Sequence, residues 1–198
     1  MITKITDDIW KIYDEDPNAF IVIPINLSIN NNENIMGAGL ALDAKKRFPQ
    51  LPKLVAERIT QNIIKTEISL YEYLFLFSNL RLICLPTKEE VYRNSNLTLI
   101  KTGCKALVEL DAKFREKELI EYKNSTQVSK FPSKIKYIIY IPLLGCGKGN
   151  LKEKQVLPIL DQYLSCPRFV LVKHAELKKY FDKTTGTTVE DIEKQKER

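Results

Sequence analysis

The sequence contains one histidine, four cysteines and seven glycines among its 198 residues. Cys84, Cys104, Cys146 and Cys166 stand far apart without a C-x-x-C pair, and only His174 is available to join them as a zinc ligand. This spacing argues against both a metal cage and a disulfide framework, and it favours buried thiols in a reducing cytosol. We expect no metal and no cofactor.

Long hydrophobic runs are also missing. No apolar run reaches the roughly eighteen residues that a membrane span needs, and the start MITKITDDIW lacks the apolar stretch of a secretory signal. With 44% hydrophobic and 28% charged residues, the chain suits one globular domain with a sizeable core. We expect a soluble, cytoplasmic, monomeric protein that does not contact membranes.

Positive charge is in excess, with a formal net charge of +6, which suits an anionic partner. Residues 113–136 carry seven Lys or Arg against three Glu, so much of the excess lies in one stretch. Two interpretations stay open for this stretch. It is either a solvated helix end followed by a loop, or a contact surface for nucleic acid.

Strand-like and helix-like segments alternate along the chain, which predicts a layered α/β architecture. Short apolar runs typical of strands buried on both faces are AFIVIPI, KYIIYIPLL and RFVLV. Two further strand signals, SLYEYLFLF and LRLICLPT, meet at a polar break, Ser78-Asn79, that predicts a hairpin.

Helical periodicity follows several of these strands. One helix runs through GLALDAKKRF and ends at Pro49, and a second is predicted over 96–114. A third begins where Asn150 and Glu153 fit a capping box. Pro158 inside this third helix predicts a kink or an early break.

Glycine is concentrated in two loops, each of which follows a buried strand and opens a helix. They are IVIPIN…MGAGLAL and IIYIPLLGCGKGNL, and they hold five of the seven glycines. Glycines let backbone N–H groups approach an anion closely, and a helix N-terminus adds unpaired donors. Two such loops at the same strand ends would hold a diphosphate between them.

Familiar nucleotide motifs do not fit these loops. A Walker loop needs Gly-Lys-Ser/Thr, but Gly149 follows Lys148. A Rossmann fingerprint needs a small residue where this chain has Leu42, and the eleven residues 26–36 make too long a detour for its tight turn. ATP hydrolysis and hydride transfer are therefore disfavoured.

The sequence resembles the macrodomain family, and within it the branch of the terminal ADP-ribose glycohydrolases and the antitoxin glycohydrolases that remove ADP-ribose from DNA. The segments that carry the resemblance are Asp8-Ile9, Asn26, MGAGLALDAKKRFP (36–49), LPTK (85–88) and PLLGCGKGNL (142–151). The resemblance implies a three-layer α/β/α macrodomain with a mixed central sheet over 1–175. Within it, 113–136 would be a basic helix end and loop insertion, and 176–198 a helical or frayed C-terminal extension.

The resemblance also implies roles for single residues. Asp8 would accept a hydrogen bond from the adenine amino group beside the Ile9 backbone, and Asn26 would reach the distal ribose hydroxyls. The two glycine loops would hold the diphosphate and the distal ribose. The implied ADP-ribose contacts are Asp8, Ile9, Asn26, Met36, Gly37, Ala38, Gly39, Leu40, Thr87, Leu144, Gly145, Cys146, Gly147, Lys148, Gly149 and Asn150.

Catalysis in this branch is tied to a lysine that here is Lys88, with Asn26 positioning the ribose. A partly desolvated lysine can attack an anomeric carbon when neutral, or stabilise a developing oxyanion when charged. The resemblance therefore predicts a metal-independent ADP-ribosyl glycohydrolase. A non-catalytic reader or sensor of ADP-ribose or a related NAD-derived metabolite, and an ADP-ribose 1-phosphate phosphatase, stay open as alternatives.

Two departures from the family narrow the expectation. Gly149 stands where the protein-directed glycohydrolase has an aspartate, and this favours nucleic acid over carboxylate side chains as the site of modification. The asparagine-rich segment NLSINNNENIM departs from both enzyme types, so the shape of the distal-ribose pocket is left open.

Overall fold

A computed structural model of the chain describes residues 1–64, 70–124 and 135–174. Its elements, in chain order, are β1 (Thr3–Thr6), α1 (Ile9–Glu15), β2 (Ala19–Asn26), β3 (Ile29–Asn30), β4 (Glu33–Asn34), α2 (Gly39–Arg47), α3 (Leu51–Ile64), β5 (Phe75–Phe77), β6 (Leu82–Lys88), α4 (Leu97–Asn124), β7 (Ile138–Pro142), α5 (Glu153–Tyr163) and β8 (Phe169–Lys173). Two short 3₁₀ turns, Leu70–Tyr73 and Ser78–Leu80, flank β5.

The central sheet has six strands in the order β1-β8-β7-β2-β6-β5. Every pairing in it is parallel except that of β5 with β6, which is antiparallel. The prediction of a mixed central sheet is therefore confirmed. Strands β3 and β4 form a separate two-stranded hairpin.

Strand β2 shows why the fold has three layers. Successive side chains of a strand point to opposite faces of its sheet. Phe20 and Val22 belong to the core beneath α4 and α5, whereas Ile21 and Ile23 belong to the core beneath α1, α2 and α3. The apolar run AFIVIPI is thus buried on both faces, as its composition predicts.

The hairpin predicted around Ser78-Asn79 is confirmed, since β5 and β6 pair antiparallel across the turn Ser78–Leu80. Its first strand is shorter than the pattern suggested and covers only Phe75–Phe77. Arg81 closes the turn at φ 51°, and its guanidinium donates to the carbonyls of Asp16 (2.6 Å) and Tyr13 (3.0 Å). These bonds fix the hairpin to the end of α1.

Helix α4 begins where the sequence predicts, since the Asn96 side chain accepts from the Thr98 amide at 2.8 Å. It continues to Asn124, ten residues beyond the predicted end. The extra turns carry little apolar pattern. They are held instead by Glu118, whose carboxylate lies against Arg168 at the start of β8.

Helix α5 differs from the prediction at its start. The capping box of Asn150 and Glu153 is wrong, because the helix begins at Glu153 and Gln155 accepts from the Lys152 amide at 2.9 Å. Asn150 has φ 58° and ends the preceding loop. The helix runs past Pro158 to Tyr163, so the early break is not observed.

Arg168 is the largest charged side chain in the interior, with 1% of its surface exposed. It donates from Nε to Asp111, from Nη1 and Nη2 to the two carboxylate oxygens of Glu118 (2.9 Å each), and to the Tyr137 carbonyl at 2.6 Å. Burial opposes ionisation of Glu118, but the bonds from Arg168 and the Tyr137 amide outweigh it and lower the pKa of this carboxyl. The network joins α4 to β7 and β8.

Three basic side chains in the described part of the stretch 113–136 form ion pairs within the chain, namely Arg115, Lys117 and Lys136. Arg115 lies 2.7 Å from Asp111, and Lys136 lies 2.6 Å from Glu121. These contacts favour the interpretation as a helix end. Residues 125–134 and 176–198 lie outside the described residues, so the insertion loop, the C-terminal extension and nucleic-acid contact stay predictions.

The prediction of buried thiols holds for two of the four cysteines. All four cysteines are free; Cys84 and Cys104 are buried, whereas Cys146 and Cys166 are partly exposed. Burial raises the pKa of Cys104 to about 12, so this thiol stays protonated. Across 1–64, 70–124 and 135–174, no group of His, Cys, Asp or Glu is placed to hold a metal ion. No helix in those ranges is long and apolar enough to cross a membrane.

The Arg168 network predicts a large stability difference between two arginines that share Asp111. Arg168→Ala leaves two carboxylates near the core without their partner, and it should lower the free energy of unfolding by about 3 to 5 kcal/mol. Arg115→Ala removes an exposed arginine and should change it by less than about 1 kcal/mol. Urea unfolding measures the free energy of unfolding of both variants. Equal losses would contradict the stabilising role of the buried Arg168.

Candidate ligand-binding site at the carboxyl ends of the strands

A cavity of about 630 Å³ opens at one edge of the sheet. Residues from the ends of β2, β6, β7 and β8 line it, because the carboxyl ends of parallel strands meet at the same edge. Its volume lies within the range of about 300 to 1,000 Å³ that small-molecule sites occupy. Both glycine loops contribute to its wall.

The first glycine loop leads into α2. Gly37, Ala38 and Gly39 line the cavity, and Gly39, the first residue of α2, has φ 55°, which favours glycine. Ala38 is the N-cap and provides no side-chain hydrogen bond to the helix. The first amides of α2 are therefore not satisfied by a capping side chain and are available to an anion at the cavity wall.

The late glycine loop is packed tightly around Ser95. The Ser95 amide donates to the Gly149 carbonyl at 2.9 Å. A Cβ added at Gly149 would lie 2.1 Å from Ser95 Oγ and 2.4 Å from the Gly145 carbonyl oxygen. Gly145 itself has φ 71°. Position 149, where the protein-directed glycohydrolase has an aspartate, therefore requires glycine here, because Ser95 and the Gly145 backbone fill the adjacent space.

Lys88 ends β6 and lines the cavity with its side chain half-buried. Its Nζ donates to the carbonyls of Val91 at 3.1 Å and Lys148 at 3.4 Å. Desolvation lowers the pKa of the amine. Lys88 pairs in register with Asn26, just after a register shift that leaves Thr87 of β6 as the extra residue, so the two residues predicted to be catalytic lie side by side at the sheet edge.

Asn26 is 6% exposed and organises the segment that follows it. Its Nδ2 donates to the Ile35 carbonyl at 2.7 Å, and its Oδ1 accepts from the Ser28 amide at 2.9 Å. An amide side chain carries two N–H groups and two oxygen lone pairs. One of each stays available to a ligand, and contact with a ribose stays a prediction.

The asparagine-rich detour forms the β3–β4 hairpin at the cavity edge. Asn31 and Asn32 make its two-residue turn with φ 50° and 62°, which asparagine tolerates better than most residues. Asn34 is buried, and its Nδ2 donates to the carbonyls of Asn26 (2.8 Å) and Ser28 (3.0 Å). These bonds close the hairpin at its base.

Most of the predicted contact residues are brought together by the fold. Those that line the cavity are Ile9, Asn26, Gly37, Ala38, Gly39, Leu40, Thr87, Lys88, Gly145, Cys146, Gly147, Lys148 and Gly149. Asp8 lies outside the lining, where its Oδ1 accepts from the Trp10 amide at 2.8 Å and caps α1. Met36 and Leu144 are buried in the core, and Asn150 donates to Asn94 at 2.7 Å.

Sequence reasoning missed several lining residues, of which Asp43, Ser95 and His174 carry polar side chains. His174 directly follows β8, so the rule that strand ends share one edge was sufficient to place it there. Ser95 lies in a polar run before α4 and has no comparable signal. Only the folded chain brings it against the late loop.

The packing around Ser95 predicts that two glycines in one loop respond differently to alanine. Gly149→Ala forces the added methyl against Ser95 and Gly145 and should destabilise the fold by about 1 to 3 kcal/mol. At Gly147 an added Cβ meets no atom within 4 Å, so Gly147→Ala should leave the melting temperature nearly unchanged. Thermal unfolding of the two variants checks this, and equal melting temperatures would refute the packing argument.

Comparison with known proteins agrees with this architecture. No family model and no curated protein sequence matches the chain. Among solved structures, the macrodomain of Mycobacterium tuberculosis DarG is similar with a TM-score of 0.59 and 20% identity, over 87% of this chain and 97% of that one. The macrodomain of Thermus aquaticus DarG is similar with a TM-score of 0.57 and 20% identity, over the same shares.

A third similar structure is Thermosipho africanus DarTG in complex with ADP-ribose, with a TM-score of 0.54 and 21% identity. The match covers 79% of this chain, and this chain spans 38% of the length of that one. At such low sequence identity, the structural similarity shows the fold of the chain and nothing further. This chain has the three-layer fold of the macrodomains, with a cavity at the carboxyl ends of the strands.

Proposed function

We propose that the chain binds ADP-ribose in the strand-end cavity and hydrolyses the bond that joins ADP-ribose to a nucleic acid or to a carboxylate side chain. The observation that carries the proposal is the placement of Lys88. Its amine lies at the wall of the cavity that both glycine loops line, partly desolvated and held by two carbonyl groups.

Binding of a diphosphate is supported by both glycine loops of the cavity. The uncapped N-terminus of α2 contributes amides, and the loop 145–149 contributes its backbone. Lys88 and Lys148 bring two positive charges to the lining against the one negative charge of Asp43. The complex of Thermosipho africanus DarTG with ADP-ribose is a structural relative that holds this ligand. The volume and the charge of the cavity support binding of the same ligand here.

Lys88 would act as a nucleophile in its neutral form. A neutral amine has two hydrogens and one lone pair, and the carbonyls of Val91 and Lys148 take the two hydrogens. The lone pair then attacks the anomeric carbon of the distal ribose while the bond from that carbon to the acceptor breaks, and the acceptor atom keeps the electron pair and takes a proton from the lysine nitrogen. Water next displaces the lysine nitrogen, giving its oxygen to the carbon and a proton back to the amine. Desolvation, which lowers the pKa of Lys88, increases the neutral fraction. This chemistry requires no metal ion.

A non-catalytic reader of ADP-ribose is the second candidate. The observation that favours it is that both predicted catalytic groups already make internal hydrogen bonds. The Asn26 amide holds the hairpin, and the Lys88 amine holds Val91 and Lys148. In this alternative the same bonds give the cavity a fixed shape, and Lys88 only contacts the ligand.

Both candidates predict that free ADP-ribose stabilises the folded chain. A ligand that binds only the folded state at one hundred times its Kd should add about 2.7 kcal/mol to the free energy of unfolding. Differential scanning fluorimetry measures this as a rise in melting temperature, with adenosine as the comparison ligand. No rise at millimolar ADP-ribose would exclude both candidates.

Hydrolysis predicts that Lys88→Ala lowers ADP-ribose release by about 100-fold or more. The variant should still bind free ADP-ribose, since the glycine loops are unchanged. The matched control is Lys46→Ala, which removes an exposed lysine of α2 outside the cavity lining. Release is measured from ADP-ribosylated single-stranded DNA and from glutamate-modified protein. Unchanged turnover in Lys88→Ala would exclude the residue from the mechanism.

The protonation state of Lys88 can be tested on the same substrates. If the neutral amine attacks, kcat rises with pH and levels off above the lowered pKa of Lys88, which lies below the usual value of about 10.4. Lys88→Arg keeps the charge but cannot deprotonate, so it should be as inactive as alanine. Substantial activity of the arginine variant would indicate charge stabilisation instead.

A further inference from the structure

The strand order of the sheet gives the proposed ligand a direction. The strands β8, β7, β2 and β6 are adjacent in this order, and the carboxyl end of each borders the cavity. With neighbouring strands about 4.8 Å apart, the end of β8 lies roughly 14 Å from the end of β6, where Lys88 stands. The two glycine loops follow the strands between them. A ligand with its reactive ribose at Lys88 and its diphosphate at the loops therefore extends its nucleoside half towards β8.

The end of the cavity beside β8 has apolar walls. Val172 of β8 and Ile9, the first residue of α1, both line the cavity, and both pack into the core beneath α1, α2 and α3. Each is 4% exposed. Such walls hold the apolar faces of a ligand, and polar groups placed among them decide its specificity.

Helix α2 directs one polar group, Asp43, towards this end of the cavity. Asp43 and Arg47 are four residues apart and share a face of the helix. The Arg47 guanidinium lies 4.8 Å from the centre of the Trp10 ring of α1. Lys45 points to the other flank of the helix, since its amine lies 3.5 Å from Glu33 of the β3–β4 hairpin. Asp43 therefore faces α1 and not the hairpin.

The Asp43 carboxylate is available to a ligand. It is the one acidic group among the described residues that line the cavity. Its side chain is exposed, and no hydrogen bond or ion pair joins it to another described residue. Two nearby cations are held elsewhere, because Arg47 is paired with Asp14 and Lys173 with Glu153. Asp43 thus brings an unpaired negative charge to a cavity whose proposed ligand is an anion.

The chemistry of a carboxylate defines which nucleosides it tolerates. An ionised carboxylate only accepts hydrogen bonds, and it repels a second anion in the same site. The hydroxyl groups of the nucleoside ribose are donors, whereas a phosphate ester on one of them is an anion. An acidic residue makes the same distinction in dinucleotide-binding sites, where it binds the 2′-hydroxyl of NAD, while an arginine accommodates the 2′-phosphate of NADP.

We propose that Asp43 selects the ligand by its charge, accepting a hydrogen bond from a hydroxyl group of the nucleoside ribose and excluding ligands that carry a phosphate there. The cavity then binds ADP-ribose and rejects its 2′-phosphorylated form. The inference rests on the proposed binding of ADP-ribose and adds to it a residue that determines specificity. It holds equally for a hydrolase and for a reader.

The test compares the Kd of ADP-ribose with the Kd of 2′-phospho-ADP-ribose by isothermal titration calorimetry. The native chain should bind ADP-ribose about tenfold more tightly or better, because like charges oppose the phosphorylated ligand. Asp43→Asn removes the charge but keeps an acceptor, so the ratio of the two Kd values should fall to about twofold or less. Raising the NaCl concentration should lower the ratio in the native chain, since salt screens exposed charges.

The matched control is Asp8→Asn. It removes the same charge from an exposed aspartate next to Ile9 but outside the cavity lining, and asparagine can still cap α1. The ratio of the two Kd values should stay at the native level in this variant. Thermal unfolding without ligand checks that both variants are folded.

Three results would overturn the proposal. They are equal affinity of the native chain for the two ligands, a ratio that Asp43→Asn leaves unchanged, and an equal fall of the ratio in Asp8→Asn. An unchanged ratio in Asp43→Asn would mean that shape and not charge rejects the phosphate. Failure of the proposed function gives a different pattern, because neither ligand then binds to the native chain or to either variant.

Discussion

The parallel alignment of β2 between β6 and β7 is the constraint on which the rest of the molecule depends. It brings the carboxyl ends of these strands to one edge, so that residues distant in sequence, such as Asn26, Lys88 and Gly145, border one cavity. Because β2 is buried on both faces, a shift of one residue in register would exchange its two apolar faces. Core packing therefore fixes the position of the site.

Much of this arrangement could be predicted from the sequence, because buried strands and glycine loops carry local signals. The run AFIVIPI indicates its strand by composition, and the paired glycines indicate their loops by concentration. The last turns of α4 carry no such signal. They depend on a pairing between Glu118 and Arg168, fifty residues apart. Ser95 was missed for the same reason, since its importance arises from the neighbours that folding gives it.

Position 149 is constrained from two directions. A side chain there would meet the Ser95 hydroxyl, and it would also meet the carbonyl oxygen and the Cα of Gly145. Ser95, which precedes α4, therefore supplies a polar group at this point of the cavity where position 149 supplies none. Because the Gly145 backbone lies so close, a smaller residue at 95 would not by itself make room for a carboxylate at 149.

The hydrogen bonds of Asn34 at the base of the β3–β4 hairpin hold the end of β2 independently of the hairpin tip. Asn34 binds the backbone at Asn26 and Ser28, so the strand end is held whatever lies beyond it. The hairpin tip can then change in length or composition without moving Lys88 on the neighbouring strand. The base of the hairpin thus holds the edge of the cavity at Asn26 independently of the residues that form the rim above it.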